Sequence, residues 1–391
     1  MSVPLIQQYR VTSYILKQKL RGRKRYPLVL MLEPLFRCNL SCAGCGKIER
    51  PAEILDKHLT VAQCLSAVDE CGAPVVSIAG GEPFLLKELD QIVAGIIRRK
   101  KFVYLCTNGL LLKKHLEDYS PSPYLTFSIH LDGNRERHDA IVCRQGVFDR
   151  AVDAIKATLK RGFRVTINTT LYDGVTSREA AEFFDFAMGL GIEGITIAPG
   201  FNYERASHQE VFLLRTTSKK LFRDIFKIAK DRKWKFNHTS LYLDFLAGNQ
   251  FYQCTPWGNP TRNIFGWQRP CYLLEDGSYA ASFSELVEET EWDKYGVGCN
   301  SKCGQCMLHS GFEPSALNDM IKHPFKALLL SLRGPRTDGP MAADFPTVRS
   351  TVAPKEREDR GIDHPAGSYR FIEGVRCRVS GVRKRNKKAE T

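Results

Sequence analysis

No run of about 18 or more uncharged apolar residues occurs in the 391 residues, so a membrane-spanning helix is not expected. The start of the chain has neither the apolar h-region nor the small-residue cleavage site of a secretory signal, which points to a cytoplasmic protein. No Gly-x-Gly-x-x-Gly follows the first strand-like run, which argues against a dinucleotide-binding fold. The aromatic–basic alternation of an RNA-stacking platform is also missing, and no nucleic acid partner is expected. Acidic residues are in short supply: 43 Asp and Glu against 57 Lys and Arg leave a formal charge of +14, which favours anionic partners. That excess collects at the two ends, from Arg10 to Arg25 and again at Arg383-Lys384-Arg385-Asn386-Lys387-Lys388, so it says little about the middle of the chain.

Cysteine is not scarce. In a chain with cytosolic character, thirteen cysteines read as metal ligands and reduced thiols rather than as a disulfide framework. Three of them, Cys38, Cys42 and Cys45, fall at Cys-x3-Cys-x2-Cys spacing directly after the apolar run Leu28-Val29-Leu30-Met31-Leu32. Thiols this close can aim at one centre, yet they leave a four-ligand site open at one position. A soft-metal site of that kind suits a metal that must also bind a substrate or cofactor.

From Leu28 onward, strand-like runs at 28–33, 74–79, 102–106, 124–129, 163–169 and 193–198 alternate with helix-like segments near 60–71, 87–100, 110–117, 147–161 and 176–189. Such alternation implies a parallel sheet with right-handed crossovers. The expected fold is α/β: a partial (β/α)6 barrel at 26–239, with a further helix near 216–232. Before it, residues 3–22 read as an amphipathic helix, assigned with its basic flank to 1–25. Leu5, Ile6, Tyr9, Leu16 and Leu20 share one face, flanked by Arg10 and Lys17. Packing of that stripe on the main domain is the expected arrangement; an interfacial helix on an anionic membrane is the alternative. Residues 240–333 are turn-rich, hold three of the four tryptophans and read as a small Cys-rich appendage. Residues 334–391, rich in Pro, Gly, Arg, Asp and Glu without periodicity, are expected to be disordered.

Working groups of α/β barrels gather at the carboxyl ends of the strands. The cysteine triplet falls after the first strand, and Ala79-Gly80-Gly81-Glu82-Pro83 after the second. The glycines let backbone approach a ligand closely, and the Glu82 carboxylate with nearby carbonyls makes a receptor for an amino group. Cys106 ends the third strand, where a thiol could give a hydrogen atom to a substrate radical; a buried apolar cysteine is the plainer reading. Ser128 and Asn168 lie on the fourth and fifth strands as polar candidates, and His130 is better suited to a structural hydrogen bond. A second triplet, Cys299, Cys303 and Cys306, copies the spacing of the first without the preceding strand or the Gly-Gly-Glu-Pro partner. With Cys271 as fourth ligand, and Cys254 in competition, it makes a closed thiolate site for zinc or an auxiliary cluster.

Cys-x3-Cys-x2-Cys after strand one and Gly-Gly-Glu-Pro after strand two together resemble the radical S-adenosylmethionine (SAM) superfamily. The resemblance implies that Cys38, Cys42 and Cys45 hold three irons of a 4Fe-4S cluster whose fourth iron chelates SAM. Gly80, Gly81 and Glu82 would lie near the SAM amine, with Ser128 and Asn168 as further contacts. A flavodoxin- or ferredoxin-type donor would reduce the cluster, and a 5′-deoxyadenosyl radical would follow. One position departs from the pattern: the family usually has an aromatic residue before the third cysteine, and here it is Gly44. Either the adenine finds its contact elsewhere, or the site keeps extra room, as an enzyme that moves the adenosyl carbon would need.

Two longer stretches, Tyr26–Ile48 and Cys254–Leu274, are similar to the hopanoid-biosynthesis radical SAM proteins. That similarity spans roughly residues 1–335. It implies transfer of the deoxyadenosyl group to the terminal alkene of a hopene-type triterpene, at or near the cytoplasmic face of a membrane. Phe245, Phe251, Tyr252, Trp257, Phe265 and Trp267 are expected to wall one side of the apolar pocket, although a compact aromatic core for the appendage is an equally good reading of any one ring. A radical SAM enzyme acting on a peptide or other small molecule would share every cluster residue. A non-catalytic iron–sulfur redox or RNA-binding protein is the rival from another class.

Overall fold

Alternation along each strand decides which side chains meet the helices and which face inward. The computed structural model describes residues 3–201, 203–206, 208–274 and 278–343. Six strands, β1 (Val29–Leu32), β2 (Val75–Ile78), β3 (Phe102–Thr107), β4 (Leu125–His130), β5 (Arg164–Leu171) and β6 (Gly194–Pro199), pair in parallel in chain order. The helices Val61–Cys71, Leu89–Arg98, Leu112–His115, Val147–Lys160 and Ser177–Gly189 lie between them in the chain, as the pattern predicts. Capping boxes at Thr60 with Gln63 and at Thr176 with Glu179 start two of these helices by satisfying backbone donors that no helical carbonyl can reach.

One side of the sheet is uniformly aliphatic or aromatic. Leu30, Val76, Leu105, Phe127, Ile167 and Ile197 are fully buried, and burial of each contributes about 1.5–3 kcal/mol relative to exposure. The alternate positions, Met31 apart, are small or polar. Met31, Ser77, Cys106, Ser128, Asn168 and Thr196 all line one cavity of about 320 Å³. Register aligns several of them across neighbouring strands: Met31 with Ser77, Cys106 with Ser128, and Asn168 with Thr196. A closed eight-stranded barrel fills its interior with branched side chains; this partial barrel leaves its interior open for a ligand.

The Cys-rich C-terminal part is tied to the barrel through the sheet itself. β7 (Thr261–Asn263) runs parallel to β1, and β8 (Gly266–Gln268) and β9 (Tyr279–Ala280) follow antiparallel, giving nine strands in the order β6-β5-β4-β3-β2-β1-β7-β8-β9. Helix His309–Lys322 contributes His309, Glu313, Pro314 and Leu317 to the cavity wall. Helix Leu5–Leu20 contributes Gln7 and Val11 and is fastened by the Gln7 amide, which donates to the Tyr104 hydroxyl at 3.1 Å.

Two expectations are corrected here. The stripe Leu5, Ile6, Tyr9, Leu16 and Leu20 does not pack on the domain; it is exposed, and the helix seats through Gln7, Ile15 and Gln18 instead. The cavity wall is not the expected aromatic set. Phe245 stacks on Phe312, Trp267 packs against Phe283, and Phe251 and Phe265 are exposed. Of the segment expected to be disordered, residues 334–343 are described: the Arg223 guanidinium donates to the Gly339 carbonyl at 2.7 Å, and the Ala342 amide to the Gly248 carbonyl at 2.8 Å. Residues 344–391 lie outside the described residues. Among the described residues no helix is long and apolar enough to cross a membrane.

Candidate active site

The loop after β1 is held in place by the loop after β2. The Gly81 amide donates to the Leu35 carbonyl at 2.9 Å, and the Glu82 amide to the Arg37 carbonyl at 3.0 Å, immediately before Cys38. The fit leaves no room for side chains. Gly80 sits at φ +106°, and a Cβ at Gly81 would lie 2.0 Å from the Arg37 carbonyl oxygen. The two glycines therefore let one loop template the other. Gly81→Ala should push these backbones apart, at a cost of about 1–3 kcal/mol. A lower melting temperature and substoichiometric iron after anaerobic reconstitution would show it.

Glu82 is buried and its carboxylate is largely engaged. It accepts from the Thr107 hydroxyl at 2.8 Å, the Asn108 amide at 3.0 Å and the Phe84 amide at 3.2 Å. Burial raises its pKa, against the pull of those bonds. Of the roughly four acceptor positions on a carboxylate, three are filled by the protein, so one is left for a ligand amine. The ordered Asn108 side chain in turn donates to Asn39 Oδ1 at 2.7 Å and lies 4.0 Å from Cys38 Sγ. The Leu40 amide donates to Cys38 Sγ at 3.4 Å. Hydrogen bonds onto a ligand sulfur are one lever by which a protein sets the potential of an iron–sulfur centre.

The far end of the loop is anchored by charge. Lys47 is buried with its Nζ 2.7 Å from Glu33 Oε1, at the end of β1. Burial alone would lower the Lys47 pKa; Glu33 overcomes it and raises the value. Cys38, Cys42 and Cys45 all have raised pKa values, Cys38 up to about 12, first through burial; neighbouring thiols of the triplet add to the shift at Cys38 and Cys42, and Glu33 and Glu49 to that at Cys45 against the pull of Lys47. Buried thiolates held together need a cation to offset their desolvation. The donor set, three sulfurs in the loop after β1, fits a cluster that uses an outside ligand for its fourth iron. Among the described residues no three His, Cys, Asp or Glu side chains converge as a single metal ion requires.

Gly44 does not leave extra room, which corrects that part of the sequence reading. A Cβ there would lie 2.4 Å from the Tyr172 hydroxyl, because Tyr172, just past the end of β5, already occupies the space. Burial, then Asp132, Cys42 and Cys45, push the Tyr172 pKa up, which puts the ring beside two of the three thiols. The aromatic missing at position 44 is thus supplied from 128 positions further along the chain. The only sequence signal for it is an aromatic at a strand's carboxyl end. His130 pairs with Asp132, whose other oxygen accepts from the Thr170 amide at 2.7 Å, while the Asp132 amide donates to His138 Nδ1 at 3.2 Å. This network ties β4 to β5 near the triplet.

Cys106 faces the cavity with Ser128 and Asn168. Its Sγ is 3.4 Å from Ser77 Oγ. Burial raises its pKa, opposed by hydrogen bonding with Ser77 and Ser128, so the group is a thiol near neutral pH. In the second cysteine group, Cys254, Cys271, Cys303 and Cys306 line one small cavity of about 30 Å³, whereas Cys299 is exposed beside Cys303. The structure thus draws Cys254 into the place the spacing suggested for Cys299.

Residues 32–187 match the radical SAM superfamily. They form a radical SAM domain. Residues 195–330 match a domain of unknown function, DUF3463. The GTP 3′,8-cyclase of Clostridium perfringens is 26% identical over 199 residues, 48% of this chain and 62% of that protein. The Helicobacter pylori GTP 3′,8-cyclase is 30% identical over 165 residues, 40% of this chain and 51% of its own length. The chain therefore spans between about half and three fifths of these curated relatives. Among solved structures, Streptococcus suis SuiB matches with a TM-score of 0.58 at 19% identity, covering 80% of this chain and 78% of SuiB. The anSMEcpe structure with bound AdoMet and Cp18Cys peptide matches at 0.54 and 15%, covering 78% and 98%. At these identities the likeness concerns the fold. Radical SAM proteins use a 4Fe-4S cluster with SAM, and the three thiols, the Gly-Gly turn and Tyr172 of this domain suit that pair.

Proposed function

We propose that this chain is a radical SAM enzyme that adds the 5′-deoxyadenosyl group to the terminal alkene of a hopene-type triterpene, giving adenosylhopane in hopanoid side-chain biosynthesis. The observation that carries the reading is a neutral thiol, Cys106, opening on a barrel cavity of about 320 Å³ whose walls include Val11, Leu28, Val29, Met31, Val75 and Leu317. An apolar hydrocarbon gains by leaving water for such walls.

Cys38, Cys42 and Cys45 would hold the cluster, with Gly80, Gly81 and the remaining acceptor position of Glu82 toward the SAM amine, Ser128 and Asn168 as polar contacts, and Tyr172 as the aromatic neighbour. When bound, cluster and SAM supply a 5′-deoxyadenosyl radical. The residues of the barrel then do three things. The cavity walls exclude water. Ser77 and Ser128 fix the direction of the Cys106 side chain. The Cys106 S–H gives its hydrogen atom to the tertiary carbon radical left when a primary radical adds to a terminal alkene. The resulting thiyl radical regains a thiol by taking one electron and one proton, the electron coming from a flavodoxin- or ferredoxin-type donor. Cys254, Cys271, Cys303 and Cys306 would hold a second centre. A closed set of four thiolates suits either zinc or an auxiliary iron–sulfur cluster.

A second reading, action on a peptide or polar small molecule, has one observation in its favour. His309 Nδ1 and Asn259 Oδ1 are buried at the cavity wall without a hydrogen-bond partner among the described residues, and a polar substrate group or a water would satisfy them. Reduced protein incubated anaerobically with SAM and hopene, and analysed by mass spectrometry, separates the readings. Adenosylated lipid is expected. SAM cleavage with unmodified hopene would favour the polar-substrate reading, and no SAM cleavage would favour a non-catalytic iron–sulfur protein.

A further inference from the structure

Helix Leu5–Leu20 is amphipathic in the wrong sense for a helix that serves only to cover a core. Its buried face carries Gln7 and Gln18 beside Ile15, while Leu5, Tyr9, Leu16 and Leu20 are 81%, 73%, 48% and 89% exposed. Those four residues fall within about 60° of helix surface, so they form one stripe. Helix Pro324–Arg333 repeats the arrangement. Phe325, Leu328, Leu329 and Leu332 lie within about 100° of its surface, and Phe325 and Leu332 are 81% and 76% exposed. Thirteen large apolar side chains are exposed among the described residues, and nine of them sit on these two helices. Single exposed apolar residues are ordinary; two aligned stripes are an interaction surface.

The stripes lie on the same part of the molecule. Val11, Tyr14 and Ile15 of the first helix pack with Leu317 and Ile321 of helix His309–Lys322, which leads directly into Pro324–Arg333. Lys19, in the last turn of the first helix, is near enough to Lys322, the last residue of helix His309–Lys322, that after burial the Lys322 charge helps hold its pKa below the ordinary value. The rim is cationic. The first 32 residues contain seven Lys and Arg and no Asp or Glu, and Lys17, Arg21, Arg23 and Lys24 are exposed. The inner side of the same N-terminal helix lines the cavity.

We propose that the stripes of Leu5–Leu20 and Pro324–Arg333 seat the protein on an anionic lipid bilayer, with the N-terminal helix lying between the bilayer and the cavity. Apolar anchors and a basic rim are the two signals that together give stable but reversible attachment to a membrane surface. The placement gives an apolar substrate a path from lipid to cavity past one helix. In that respect it rests on the proposed function, but attachment itself requires no turnover and is measured without it.

The test is flotation of the full chain with vesicles of phosphatidylcholine alone and of equal phosphatidylcholine and phosphatidylglycerol. Wild-type protein should float with the anionic vesicles at least ten-fold more than with the neutral ones, and less as salt is raised. The triple change Leu5→Ser, Tyr9→Ser, Leu20→Ser and the double change Phe325→Ser, Leu332→Ser should each reduce flotation at least ten-fold. Circular dichroism and SAM cleavage in vesicle-free buffer should stay unchanged. Lys17→Gln with Arg21→Gln and Arg23→Gln should remove the preference for phosphatidylglycerol. Wild-type protein that stays unbound on anionic vesicles overturns the proposal, as it would if residues 344–391 covered the stripes. So does a dimer in analytical ultracentrifugation that the serine variants dissociate while flotation is unaffected, since the stripes would then join two copies of the chain.

Discussion

Cys42→Ala is expected to give colourless protein after anaerobic reconstitution, with SAM cleavage reduced to background. Cys42 is half-buried in the site, its pKa raised by desolvation and by Cys45 and Cys38, with Tyr172 and Asp132 nearby. Removing one of three thiolates leaves two, too few to retain a cluster that already relies on an outside ligand for its fourth iron. Iron content and the visible absorption spectrum, read beside SAM consumption, check the result. Cys64→Ala is the matched control: Cys64 is buried in the main core on helix Val61–Cys71, and its loss should lower the melting temperature while leaving the chromophore intact. In Cys306→Ala the content of the second metal, zinc or iron, should fall without the loss of SAM cleavage, because the second group of thiols is separate from the triplet. Full chromophore in Cys42→Ala would remove the triplet from the site.

The second large effect belongs to Cys106. Cys106→Ser keeps the size of the side chain and its partners Ser77 and Ser128, but an O–H bond is too strong to yield its hydrogen atom readily. SAM should still be consumed, while the saturated adenosylated lipid falls at least about ten-fold, a loss of about 1.4 kcal/mol or more in the quenching step. Alkene-containing or dimeric products should take its place. Because burial holds the Cys106 pKa above the ordinary thiol value, the donor form persists as pH rises through the range in which an exposed cysteine ionises. Quenching in the wild-type protein should therefore decline only at a higher pH than a thiol of ordinary pKa, half ionised near about 8.5, would show. Unchanged saturated product from Cys106→Ser would exclude the thiol as donor.

The strands, their order and the two loops that make the site were legible because each depends on local pattern. Apolar runs alternate with helical periodicity, and the cysteine and Gly-Gly-Glu-Pro motifs sit where strands end. The parts that were not legible depend on which distant segments meet. Tyr172 stands in for the residue missing at Gly44, and nothing near position 44 reports it. Equal spacing made Cys299 look like a ligand, but the fold turns it outward and brings Cys254 from 45 residues earlier toward Cys303 and Cys306. Glu82 read as a carboxylate for an amine, while the Thr107 hydroxyl and the Asn108 and Phe84 amides claim most of its acceptor capacity.

The N-terminal helix shows the same limit in another form. Periodicity places Leu5, Tyr9, Leu16 and Leu20 on one face but carries no information on which way that face points. The outward direction became visible only once Gln7 was found bonded to Tyr104 inside the barrel. The aromatic set expected to wall the pocket fails for a related reason. Phe245 and Trp267 are so fully buried by their own neighbours that no surface is left for a ligand. The wall is built instead from strand positions too small to fill the barrel, a feature of the pattern at Ser77, Cys106, Ser128 and Thr196 that composition alone does not reveal.

The most direct measurement follows the adenosyl carbons. SAM labelled with ¹³C throughout the adenosine moiety is incubated anaerobically with reduced full-length protein and hopene, and the aqueous and lipid fractions are analysed by mass spectrometry. The expected result is a labelled lipid heavier than hopene by one deoxyadenosyl group and one hydrogen, formed by the wild-type protein and lost in Cys106→Ser while labelled SAM is still consumed. Recovery of all the label in water-soluble 5′-deoxyadenosine, with hopene unchanged and SAM consumed, would contradict transfer of the adenosyl group.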